Sequence, residues 1–259
     1  APHTPRPAMQ SAMCISARAA AVAPTATTRR RPSTGRRNSA TTTRCAVVEP
    51  STKVSFPDTL DGSNNLKCIG AGVREKKVAF ISVKVYGVAM YVDAAACKAE
   101  LAAGKSLLDG AFDKALLVQM VRDVDGKTFW EALDEAVSPR IKEIATNMAT
   151  KEDDEGNFMS EVAEAAEVAE EAAMDECDEL KGLFMGQNLT TGAQVVMKWS
   201  AGGGGEGGNV LEVGVVGGGA GALRLKSSEL AQALFDVYLG SMPISPGALA
   251  SFKAGADKL

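Results

Sequence analysis

Gly70-Ala-Gly-Val-Arg-Glu-Lys-Lys-Val-Ala-Phe-Ile-Ser-Val-Lys-Val-Tyr-Gly-Val-Ala-Met-Tyr-Val92 carries most of what the chain says about its architecture. Its second half, from Val78, is rich in Val, Ile and aromatic residues and is interrupted only by Gly87. That composition predicts one long strand, or two with a bend at Gly87. Period-two alternation puts Phe80, Ser82, Lys84, Tyr86, Val88 and Met90 on one face and Ile81, Val83, Val85 and Tyr91 on the other. One face then mixes polar and apolar side chains, as a ligand-lined surface does. Upstream, Val54 to Phe80 holds short apolar pieces separated by Phe56-Pro57, Asp61-Gly62, Asn64-Asn65 and Gly70-Ala-Gly72, the pattern of short strands joined by turns.

Downstream the period changes. Residues 93–108 are rich in Ala and Lys and predict a helix with Leu101, Leu107 and Leu108 inward, and Leu116 to Arg122 predicts a buried strand. After Asp125-Gly126, Phe129, Leu133 and Val137 recur every four residues, which predicts an amphipathic helix. Ser138-Pro139 has the form of an N-cap followed by proline at the first helical position, so a separate helix through Ile141, Ile144 and Met148 is expected. Glu152 to Glu179 holds 13 acidic and no basic residues, with repeated Ala. It predicts a solvated helix with a thin inward stripe of Val162, Ala165, Ala169, Ala172 and Leu180. Asp153, Asp154 and Glu155 lack the alternation and turn glycine of a calcium loop, so no metal site is expected.

Gln194 to Trp199 and Asn209 to Val216 flank the glycine run 202–208 and predict a hairpin. Neither this run nor Gly217 to Gly221 is a phosphate loop, because no GxxxxGK[ST] is present and the first run joins strand to strand. Ser227 or Ser228 caps a helix through Leu230, Leu234, Val237 and Tyr238 that Gly240 stops, and a short helix follows Pro246. Strands, helices, strands and helix, without regular βαβ alternation, give an α+β class: an antiparallel sheet with helices on one side.

Charge divides the 259 residues sharply. The net charge is −4, yet residues 1–45 carry eight Arg and no acid, which leaves 20 basic against 32 acidic residues from Ala46 onward. The acidic stretch 152–179 accounts for that excess, since without it 20 basic residues face 19 acidic ones. A basic, Ser/Thr-, Ala- and Pro-rich leader without an apolar core reads as an organelle transit peptide, chloroplast over mitochondrion, with a plausible cut near Cys45. A nucleic-acid-binding arm is the alternative reading, disfavoured by the acidic body, and no nucleic-acid partner is expected. The only histidine, His3, lies in the leader. The body therefore lacks the imidazole of Ser-His-Asp, Cys-His and histidine-zinc chemistry. Its three dispersed cysteines, Cys68, Cys97 and Cys177, read as reduced thiols. No run long enough to span a membrane is present.

Gly70 to Lys76, Phe80 and Val83 to Val92 together resemble the N-terminal signature of the chalcone isomerase fold. Leu234-Phe-Asp-Val-Tyr-Leu-Gly-Ser-Met-Pro-Ile-Ser-Pro246 is similar to its C-terminal helix and following turn. Asp125-Gly-Lys-Thr-Phe-Trp130 and the Trp199 strand fall between them in the expected order. The resemblance spans residues 52–256, and the acidic helical segment 152–179 looks like an insertion into a domain of residues 46–259. It implies an antiparallel sheet with a layer of helices on one face, and no cofactor. The family holds isomerases, which close a chalcone to a flavanone, and non-catalytic members that bind fatty acids in the plastid stroma.

Residue by residue, the resemblance implies the second group. Arg74 matches the arginine that stabilises the substrate oxyanion in isomerases and grips the carboxylate in fatty-acid binders. Tyr86 stands where isomerases usually have a Thr that orders a catalytic water. Phe129 stands for their active-site Tyr and Ala136 for their active-site Asn, and Ser227 falls loosely near another pocket position. Losing a phenol and a carboxamide removes donors a polyphenol needs. A guanidinium beside a phenol is a sound carboxylate clamp. A fatty acid held by Arg74 and Tyr86, with Phe129 and Met90 along its tail, is the resulting expectation. An isomerase with a rearranged site, and an accessory protein docking a pathway enzyme through the acidic helix, stay open.

Overall fold

The computed structural model describes residues 47–60, 66–78, 80–150, 160–201, 209–217 and 221–259. The basic leader, the Asp61-Gly62 and Asn64-Asn65 turns, the start of the acidic segment and most of the two glycine runs lie outside the described residues. In chain order the elements are β1 (Val47–Val48), β2 (Ser55–Phe56), β3 (Thr59–Leu60), β4 (Leu66–Val78), β5 (Ile81–Val92), α1 (Ala94–Ala102), β6 (Lys114–Met120), β7 (Val124–Asp125) and α2 (Gly126–Ala149). Then follow α3 (Ser160–Phe184), β8 (Asn188–Leu189), β9 (Gln194–Ser200), β10 (Val210–Val216), β11 (Leu223–Leu225), α4 (Ser228–Leu239) and α5 (Pro246–Ala256).

Seven strands form the main sheet in the order β11-β10-β9-β6-β5-β4-β3, each pair antiparallel. One face bears the main core with the helices: Val88 and Met90 of β5 join Leu116 and Val118 of β6, Ile141 of α2, Phe235 of α4 and Phe252 of α5. The other face carries a smaller cluster in which Phe56 and Val54 cover Ala89, Tyr91, Ala115 and Leu117. The α+β class and the one-sided helical layer therefore stand as expected, and so does the β9–β10 hairpin.

The glycines of the opening stretch do not make a turn. β4 runs unbroken through Gly70 and Gly72 because α5 lies directly on them: a Cβ at Gly70 would stand 2.7 Å from Ser251 O, and one at Gly72 2.4 Å from Ala248 Cα. β5 likewise passes Gly87 without ending, and there a Cβ would meet the Phe56 ring at 3.1 Å. The tightest approach is Gly255 of α5, where a Cβ would sit 1.4 Å from Ile69 O. In an exposed helix Gly→Ala stabilises by about 1 kcal/mol. Here the sign reverses, and Gly255→Ala is expected to cost about 3 kcal/mol by urea unfolding as α5 is pushed off the sheet.

Two other expectations need correction. Pro139 does not start a helix; it lies inside the continuous 24-residue α2. Proline supplies no N–H to the Glu135 carbonyl one turn back, and the neighbouring carbonyl, Ala136 O, accepts from Arg140 Nη1 at 2.6 Å. The acidic helix α3 is not merely a solvated face, since it packs on α2 and α4. Its buried residues are Ala166, Ala173, Cys177, Leu180, Leu183 and Phe184; Leu180 is inward as expected, while Ala165 and Ala172 are exposed, each one position before a buried Ala.

Helix α1 is shorter than expected, ending before Gly104 at φ +82°. The segment after it wraps around Lys114, which is only 1% exposed. Lys114 Nζ donates to the carbonyls of Leu107 (3.0 Å), Leu108 (2.7 Å) and Gly110 (2.9 Å). The same ammonium lies 4.4 Å from the Phe112 ring centroid and 4.7 Å from that of Trp199.

Candidate functional site

Arg74 and Tyr86 are directly paired across β4 and β5, so the antiparallel register brings together two side chains twelve positions apart. The register shifts next to them: Glu75 pairs with Lys84, leaving Val85 without a partner. A bulge of this kind re-aims side chains. It breaks the simple alternation read from the sequence, so that Val83 and Val85 line the same cavity as Tyr86.

That cavity, about 240 Å³, lies between β5 and the helices α2 and α4. Its walls are mainly apolar: Val85 from the sheet, Phe129, Leu133 and Ala136 from α2, Val237 from α4 and Ile244 beyond it. Helix α2 presents Phe129 because Asp125 caps its first turn, accepting from Thr128 N at 3.0 Å and Thr128 Oγ1 at 2.6 Å. The Phe129 ring stands 6.3 Å from Tyr86 and 5.0 Å from Phe184, tying the wall to the core.

Arg74, Tyr86 and Tyr238 meet in this cavity, whose other polar lining residues are Lys76, Arg122, Thr128 and Glu135. Tyr86 Oη and Tyr238 Oη are 2.7 Å apart, and either can donate. Only one phenolic proton is used in that bond, so the other is available to an acceptor in the cavity. Burial pushes both phenols above their ordinary range, partly offset by the Arg74 charge. Both therefore remain protonated donors at neutral pH. Arg74 Nη1 donates to Glu75 O at 2.6 Å and Ile244 O at 3.2 Å, which fixes the guanidinium at the cavity wall.

The loop carrying Ile244 is itself held from α2. Arg140 Nε bonds Asp236 Oδ2 at 2.7 Å and Arg140 Nη2 bonds Met242 O at 2.8 Å. Helix α4 is started by Ser227, whose Oγ accepts from Leu230 N at 3.1 Å.

Of the residues expected at the site, Arg74, Tyr86 and Phe129 converge on this cavity, with Ala136 beside them. Met90 does not line it: it is fully buried in the main core two residues beyond Val88. Ser227 is the cap of α4 and also lies outside the lining. The sequence places Tyr238 on an apolar helix face. Its position inside the C-terminal motif gave no hint that its hydroxyl meets Tyr86, because that contact joins residues 152 apart in sequence.

The arrangement suits binding an anion with an apolar body. The three thiols of the described residues are buried away from the lining, and burial raises them to about 11 for Cys68 and Cys97 and about 12 for Cys177. They are therefore not activated nucleophiles.

No family model matches the sequence, and the comparison with curated proteins gives no match. Among solved structures, the chain is similar to a fatty-acid binding protein of Arabidopsis thaliana, at 20% identity and a TM-score of 0.60 over 82% of this chain and 97% of that one. The fold is the chalcone isomerase-like fold.

Proposed function

We propose that the chain binds a free fatty acid without catalysing a reaction on it. One observation carries this reading: a cavity with mainly apolar walls holds Arg74 beside the hydrogen-bonded pair Tyr86 and Tyr238, and its charged lining is three cations, Arg74, Lys76 and Arg122, against one acid, Glu135. A carboxylate there accepts from the guanidinium fork and from the phenolic proton not spent between the two tyrosines. Charge-assisted bonds of this type are about twice as strong as neutral ones. The tail then runs along Phe129, Leu133 and Val85, each buried methylene contributing about 0.8 kcal/mol. The similarity to the Arabidopsis fatty-acid binding protein supports the same ligand class.

The non-catalytic reading is supported by two residues of the cavity lining. Phe129 and Ala136 stand where the isomerase resemblance would need a phenol and a carboxamide, and both line the cavity. A polyphenol would find fewer donors there, whereas a hydrocarbon tail loses nothing. The plastid stroma is the proposed compartment, supported by the acid-free, Arg-rich composition of residues 1–45.

Displacement of a fluorescent acyl probe by unlabelled fatty acid tests the binding. Competition by the free acid and failure of its methyl ester are expected, and equal competition by both contradicts the carboxylate clamp. In the same samples, chalcone absorbance should decay no faster than in buffer; acceleration above that rate would establish catalysis.

A further inference from the structure

The cavity wall does not stop at the cavity. Beyond the bulge, Val85 and Val83 share a face of β5, and Ile81 is the next residue on that face. Val85 and Val83 line the cavity, while Ile81 is 69% exposed at the end of the strand. Beside it, Phe80 is fully exposed in the β4–β5 connection. An apolar rail thus leads from the ligand site to an uncovered aromatic and aliphatic tip. A contiguous exposed apolar patch rimmed by polar residues is the usual mark of a protein or membrane contact surface.

The surroundings of the tip say what it contacts. Residues 74–84 hold Arg74, Lys76, Lys77 and Lys84 against a single acid, Glu75, whose carboxylate accepts from Ser82 Oγ. Lys76 and Lys77 are exposed and pair across the hairpin with Val83 and Ser82. Arg122 adds a fifth cation, its Nε donating to Lys84 O at 2.8 Å. Lys76 and Arg122 also line the cavity, so the basic cluster surrounds the cavity's outer end. A chain of net charge −4 has here gathered a local positive excess around an apolar tip.

We propose that the β4–β5 hairpin docks this end of the cavity on an anionic lipid bilayer, with Phe80 and Ile81 entering the interfacial layer and the exposed Lys76, Lys77 and Arg122 resting on lipid phosphates, while Lys84 Nζ is held by Ser51 O at 2.8 Å. Aromatic and aliphatic residues flanked by cations are the components of interfacial membrane binding. Each basic residue near an anionic surface changes partitioning about fivefold. Docked in this way, the rail lets an acyl chain pass between bilayer and cavity without crossing water. The purpose of the docking rests on the fatty-acid reading; the docking itself does not.

Flotation of the purified chain with vesicles tests it, using phosphatidylcholine alone and phosphatidylcholine mixed with phosphatidylglycerol. Binding is expected to the mixed vesicles only, weakening with salt. Lys76→Glu with Lys77→Glu should reduce it about 25-fold or more, and Phe80→Ser with Ile81→Ser should reduce it comparably. The serine pair should still bind the acyl probe in solution, which separates failure of docking from failure of the ligand site. Absence of flotation with anionic vesicles at low salt, equal binding to neutral vesicles, or unchanged binding by both variants would overturn the proposal.

Discussion

Replacing Arg74 by alanine should lower the affinity for a long-chain fatty acid by on the order of 100-fold. The estimate follows from the geometry. Arg74 supplies the formal positive charge paired with Tyr86 across the strands, in the cavity where the two phenols meet. Removing it leaves a carboxylate facing two neutral hydroxyls in an apolar surround, and an unpaired buried charge is far costlier than an unpaired dipole. Arg74→Lys should recover part of the loss by restoring charge without the planar fork. The fold should tolerate the change, because its backbone bonds to Glu75 O and Ile244 O are only two and are partly solvated. Measuring the free acid and its methyl ester on both proteins isolates the pair. The wild type should prefer the acid strongly, and Arg74→Ala should prefer neither.

Lys114→Met, away from the site, is expected to lower stability by about 3 kcal/mol by urea unfolding at neutral pH. Methionine keeps the length and the apolar contacts of the stem but deprives the carbonyls of Leu107, Leu108 and Gly110 of their shared donor. A pH dependence accompanies it. Burial lowers the Lys114 pKa from 10.5 to about 8, with Asp109, Cys97 and Glu100 opposing. Between these values the unfolded chain binds a proton that the folded chain has released, so this group's contribution to stability rises with pH across that window. The gap between wild type and variant should therefore widen from about pH 8 towards 10.5, as followed by unfolding curves at stepped pH. A gap that narrows would show that the three carbonyls and two rings keep the ammonium charged.

Much of the architecture was legible because it rests on periodicity. The Val-rich β5, the hairpin of β9 and β10 and the capped α4 and α5 follow from local composition, and their edges fall near Ser227 and Pro246 as read. What escaped local reading depends on neighbours distant in sequence. Gly70-Ala-Gly72 has the composition of a turn, and only the weight of α5 on β4 explains why those residues are small. Pro139 has the form of a helix start, yet packing of α2 against α3 and α4 keeps the helix continuous through it. The acidic helix reads as a solvated insertion because its acids dominate its composition, whereas Cys177, Leu180 and Phe184 place its last turns in the core.

The site divides along the same line. Arg74, Tyr86 and Phe129 are named by the family resemblance, and strand register brings the first two together. Met90 was assigned to the tail by uninterrupted alternation from Tyr86; the strand does keep that alternation, but the cavity ends before reaching it. The bulge at Val85 has no sequence signature, and it is what turns Val83 and Val85 towards the cavity. Tyr238 needed a contact between β5 and α4 that no pattern along the chain encodes.

Native mass spectrometry of the purified chain, followed by lipid extraction of the same sample, reaches the central claim most directly. The account predicts a wild-type species carrying one fatty acid and an Arg74→Ala species carrying none. Wild-type protein that holds no acyl ligand even after incubation with free fatty acid, or an Arg74→Ala protein that retains it fully, would contradict the account.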